Sequence, residues 1–203
     1  VGDLREREAV EVWRREALEF APSWAKGIYR PRIVIKRGRW SPWWLPPVWL
    51  TPTGVFTTFC VIAVSEDVLY CDAGYRRAAL AHEVGHLAGL HSLLWVILIM
   101  ALFHGPFPEL AAWTREQFGP WGPVGAFSIL MTVGIYAVRG VLVWFEHEAD
   151  DYAVARVGMT EFTTGLRWMK QRIVGDRPAP WVEERLARLA GMAKGPREAG
   201  SSS

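Results

Sequence analysis

Ala81-His82-Glu83-Val84-Gly85-His86 is the stretch from which the rest of this chain can be ordered. It is an H-E-x-x-H pattern inside a run, Tyr75 to Leu90, of helical character. Residues four apart on a helix share one face, about one turn apart. His82 and His86 can therefore aim imidazole nitrogens at a single Zn²⁺, at about 2.0–2.1 Å. Glu83 lies on the same flank, where it can take a proton from an attacking water. Gly85 costs the helix roughly 1 kcal/mol against alanine, which implies that it serves close packing. The plainer alternative is a chance HExxH on an amphipathic helix.

A catalytic zinc usually takes three protein ligands and a water, so a third group is needed. Two spacings compete for it. A metzincin-like continuation would run through His86-Leu87-Ala88-Gly89-Leu90-His91-Ser92. Gly89 is in place there, but His91 comes one residue early and Ser92 stands at the ligand position. The other candidate is Phe145-Glu146-His147-Glu148-Ala149-Asp150-Asp151. Glu146 and Asp150 are four apart on an expected helix, so Glu146 can bind the metal while Asp150 orients a ligand histidine.

HExxH followed some sixty residues later by E-x-x-A-D resembles the membrane-linked gluzincin peptidases, the HtpX and CAAX prenyl protease family. The lead-in Val64-Ser65-Glu66-Asp67-Val68-Leu69 and then Arg77 to Glu83 is similar to that family's strand-turn-helix entry. Pro180-Trp181-Val182-Glu183-Glu184-Arg185-Leu186-Ala187-Arg188-Leu189 is similar to its closing helix, so the likeness runs from about Ile33 to Leu189. The resemblance implies an α+β fold: a mainly helical zincin-like domain with a small sheet, an HExxH helix and an inserted transmembrane helical hairpin. It implies a zinc endopeptidase acting on membrane-associated or misfolded proteins, with His82, His86 and Glu146 as ligands and Glu83 as the base. The strand before the zinc helix, Val55 to Val64, would be the sheet edge to which a polypeptide substrate adds. The family's histidine ahead of the closing helix is missing, since Asp176-Arg177-Pro178 stands there. Arg177, then His147, are the substitutes for the oxyanion donor.

Composition sets the outer limits. A chain of 203 residues can bury one good core, which suggests a single domain over 1–203 with 93–144 as the inserted hairpin. The net charge of +2, with no basic cluster, gives no reason to expect nucleic acid as a partner. Apolar residues make up 51% of the chain, and its 12 tryptophans suit membrane interfaces and aromatic grooves alike. Cys60 and Cys71 are too few for a disulfide framework, so two buried thiols are expected. No signal peptide is expected before the first helix. Residues 195–203 read as a disordered tail.

Asp3 to Phe20 reads as an amphipathic helix with Leu4, Val10, Trp13, Ala17 and Phe20 on one side and Asp3 as its N-cap. Ile33-Val34-Ile35 reads as a strand. Gly38 to Trp49 is rich in tryptophan and proline; it suits a lipid headgroup layer, a substrate groove or a packed loop. Leu87 to Phe103 contains no Asp, Glu, Lys or Arg, and Val124 to Trp144 contains only Arg139. With Glu109 to Gln117 as a polar turn, these segments read as two membrane spans in contact with lipid. A soluble hairpin buried in an oligomer is the alternative. Arg76, Arg77, Arg139 and Arg156 against Arg115 then place an integral membrane protein with its catalytic domain in the cytoplasm. Thr160 to Arg172 and Pro180 to Met192 read as two further helices. Two rival functions remain: a soluble HExxH peptidase of metzincin or phage type using His91 or a different acid, and a non-catalytic zinc-binding membrane sensor or scaffold.

Overall fold

Asp72 starts the helix that carries the HExxH pattern. Its carboxylate accepts the backbone N–H of Tyr75 at 3.1 Å, satisfying one of the donors a helix start leaves open. The computed structural model describes residues 4–25, 27–36, 55–58, 61–175 and 179–194. Along them run α1 (Leu4–Glu19), β1 (Arg32–Lys36), β2 (Val55–Thr58), β3 (Val61–Ser65), α2 (Ala73–Ala88), α3 (His91–His104) and α4 (Pro106–Phe118). After them come α5 (Gly122–Val157), α6 (Met159–Met169) and α7 (Pro180–Lys194). The chain divides into two compact units, one of Val1–Ala88 with Ala149–Ser203 and one of Gly89–Glu148.

The first unit is organised about α2. That helix buries Tyr75, Ala78, Leu80, Ala81 and Val84 in a core shared with Trp13, Phe20, Ile62, Val64, Phe162 and Leu189. Trp13 is fully buried, and its indole N–H donates to the Leu69 carbonyl at 3.0 Å. Arg76 forks onto Glu16 at 2.9 and 2.8 Å, tying α2 to α1. The buried face of α1 begins later than its pattern suggests: Leu4 is exposed, at the first turn of the helix.

Small residues let the helices meet at backbone distance. A Cβ on Gly165 of α6 would stand 2.5 Å from the Cβ of Ala78. A Cβ on Gly85 would stand 2.9 Å from both the Cα and the carbonyl oxygen of Ala149 on α5. No relaxed side chain fits there, so Gly85 is what lets α5 lie on the HExxH turn.

The sheet has the order β1-β3-β2, with β1 parallel to β3 and β2 antiparallel to it. This corrects the expected sheet edge. The run Val55 to Val64 is two strands paired with each other, Val55 opposite Val64 and Thr58 opposite Val61. β3, which precedes α2, is hydrogen-bonded on both sides and cannot accept a further strand; β1 and β2 are the outer strands.

The expected α+β class with a transmembrane hairpin is also corrected. Strands of five, four and five residues are a small addition to a fold that is overwhelmingly helical. In the second unit the presumed first span is cut short. Leu90 adopts a left-handed conformation (φ 54°), ending the helical run before His91. The 14 residues of α3 cover about 21 Å at 1.5 Å per residue, short of the ~30 Å of a bilayer core. Glu109 to Gln117, expected as a turn, is part of helix α4. A two-span hairpin therefore lacks its first arm. Among the described residues, no helix is long and apolar enough to cross a membrane.

Three of the arginines used to orient a hairpin have partners within the protein. Arg76 pairs with Glu16, Arg77 with Glu19 and Glu161, and Arg156 lies over the Tyr152 ring. The tryptophan-rich stretch 38–49, Asp3, Cys60, Arg177 and the tail 195–203 lie outside the described residues.

Candidate metal centre

Four residues apart on α2, His82 and His86 bring their Nε2 atoms to 3.2 Å. Two ligands held about 2.0–2.1 Å from one tetrahedral ion stand roughly 3.3 Å apart, so this separation suits a shared metal. The rings are nearly perpendicular, 86° between planes, with centroids 4.7 Å apart. α5 is one uninterrupted helix, and Glu146 stands on it one turn before Asp150. One ligand atom each from His82, His86 and Glu146 lie within 4.8 Å of one another. This group could hold a metal ion.

What lies behind His82 fixes its orientation. Its Nδ1 is 2.9 Å from Oδ1 of Asp150, a carboxylate with no exposed surface. An ionised carboxylate only accepts, so the ring proton belongs on Nδ1 and the Nε2 lone pair is directed toward His86. Asp150 also accepts from Arg185, through Nε at 2.9 Å and through a short contact from Nη2. Burial alone would push the Asp150 carboxyl up. The hydrogen bond from His82 and the charge and hydrogen bond of Arg185 outweigh it, and its pKa is lowered. The carboxylate is thus ionised, buried and matched by three donors.

The remaining candidates are placed as follows. Glu83 is buried beside the two histidines on α2, with 8% of its surface exposed. His91 does not join the converging group. It begins α3, stacks on Phe145 with centroids 4.2 Å apart, and places Nε2 3.2 Å from Oε2 of Glu148. Gly89 makes room for that ring, since a Cβ there would lie 2.2 Å from His91 Nε2. His147 is half-buried and about 100° around α5 from Glu146, and it is not one of the three converging residues. Arg185 lies outside the motifs that point to the metal ligands. A signal existed: Val182, Arg185 and Leu189 share a helical face, and a cation inside a buried stripe implies a buried anion opposite.

No protein-family model matches the chain, and no curated protein or solved structure does so either. The chemistry of the site rests on its own residues.

Proposed function

We propose that the chain is a zinc-dependent endopeptidase of gluzincin type. One observation carries the reading: two histidine Nε2 atoms at zinc-ligand separation, with a Glu146 carboxylate oxygen beside them and a buried glutamate between them on the helix. Two imidazoles and a carboxylate are a donor set that suits Zn²⁺ in a catalytic site. A structural zinc is ordinarily closed by a fourth Cys or His, and among the described residues the group has three members.

When bound, zinc supplies Lewis acidity, polarising a carbonyl and easing the ionisation of water. The chain's own residues do the rest. Glu83 accepts a proton from the attacking water as the hydroxyl adds to the scissile carbonyl carbon. It then delivers that proton to the amine as the C–N bond breaks. Asp150 keeps the Nδ1 proton of His82 in place throughout. The polypeptide is expected to add to β2, an outer strand that packs against α2, by main-chain hydrogen bonds. Membrane-associated or misfolded proteins are the substrates that the resemblance suggests.

The test is zinc content measured beside cleavage of a generic protein substrate. Wild type should carry about one zinc per chain. His82→Ala and Glu146→Ala should lose both metal and activity. Glu83→Gln should keep the metal and lose on the order of 10²–10⁴-fold in cleavage, the usual scale for removing a general base. His91→Ala should keep its zinc. A wild-type protein without zinc, or an active Glu83→Gln, would overturn the proposal.

A further inference from the structure

α7 lies outside the ligand set, yet it carries the group on which that set is mounted. Arg185 is 8% exposed and grips both oxygens of Asp150, the residue that holds His82 Nδ1. Its Nη2 also lies 3.2 Å from that nitrogen. One turn on, Arg188 reaches Asp151, so two arginines on α7 meet two consecutive aspartates on α5. Trp181, on the turn before, has its ring 5.9 Å from the Arg185 guanidinium carbon.

We infer that Arg185 is a positioning residue for the metal centre, so that metal affinity and the docking of α7 rise and fall together; this rests on the metal reading above. Without the guanidinium, Asp150 would be a buried carboxylate with a single donor, no longer held in its orientation. Its rotation would take the acceptor away from the Nδ1 proton of His82 and free the ring to turn. Lysine could restore the charge but not the two-pronged fit. The effect should therefore pass through Asp150 and be absent when Asp150 is already altered.

Zinc affinity of the full chain, measured by competition with a chromophoric chelator, tests this with Zn²⁺ alone. Outer partners of ligand histidines typically contribute 10–100-fold in metal affinity, so Arg185→Gln should weaken zinc binding by that factor. Arg185→Lys should fall between it and wild type. In an Asp150→Asn background, Arg185→Gln should cost less than about threefold more, because residues in one network are not additive. Circular dichroism checks folding. If Arg185→Gln does not fold, a folded Arg185→Lys should still bind at least threefold more weakly. Wild-type affinity in a folded Arg185 variant, or a fully additive double variant, overturns the inference while leaving the metal centre standing. A wild-type chain that takes up no zinc overturns both.

Discussion

Trp13 and Trp121 mark the difference between the two compact units. Trp13, in the first, is fully buried and hydrogen-bonded to Leu69; Trp121, in the second, is 78% exposed. The contrast is general. Ile62, Leu80, Val84, Phe162 and Leu189 are buried in the first unit, whereas Leu93, Ile97, Met100, Phe118 and Ile129 are exposed in the second. The units differ in how apolar they are and in how their apolar residues are spaced. Helices such as α1 and α7 alternate charged and apolar faces, so one stripe is buried and the rest is solvated. α3 (HSLLWVILIMALFH) is apolar on every side, and a unit of three helices has no means of covering all of them. Apolar content alone does not make a core, and the two candidate histidine ligands stand on the unit whose pattern does.

Truncating each tryptophan should separate the two units most widely. Trp13→Ala should destabilise the protein by about 3–5 kcal/mol, as for a fully buried large side chain. Trp121→Ala should stay within about 0.5 kcal/mol, as for a surface position. Denaturant midpoints of the two variants give the answer, and comparable losses would erase the distinction. Glycines sharpen it further. Gly85→Ala drives a methyl group into the backbone of Ala149 and should cost about 1–3 kcal/mol, with weakened zinc binding. Gly140→Ala meets nothing within 4 Å and should stabilise α5 by roughly 0.5–1 kcal/mol. Melting curves with and without zinc would show both signs.

The smallest expected effect concerns Cys71 in the first unit. Burial, above the opposing charge of Arg76, pushes its thiol up to about 12. The folded state then keeps a proton that the unfolded chain releases near pH 9, so this contribution to stability is complete below pH 9 and declines as pH rises toward 12. Iodoacetamide labelling at pH 8, followed by peptide mapping, should modify Cys71 much more slowly in the native protein than in denaturant. Equal rates would show the thiol to be open.

What the sequence made legible was local. HExxH on a helix, with Glu146 and Asp150 one turn apart on another, follows from helical spacing alone. Gly85 was readable as a packing glycine because nothing else explains it at that point in a helix. The sheet order was not readable, because Val55 to Val64 is β-prone throughout and the division into two self-pairing strands leaves no mark in it. The end of α2 was obscured because the left-handed residue is Leu90 and not the adjacent Gly89. The periodicity of α7 marks Arg185 as a cation in a buried stripe, but it does not name the partner, which lies 35 positions away.

The close seating of α2 has a consequence on the scale of time. Gly85 against Ala149 and Gly165 against Ala78 leave this helix no slack on two sides. Its backbone amides near His82 and Val84 should exchange with solvent deuterium only when the whole unit opens, later than those of α3 or α4. The two histidines mounted on such a helix are held in one arrangement as long as the protein is folded. They would keep their geometry over many turnovers, and motion in the working molecule would fall to the strands and loops around them.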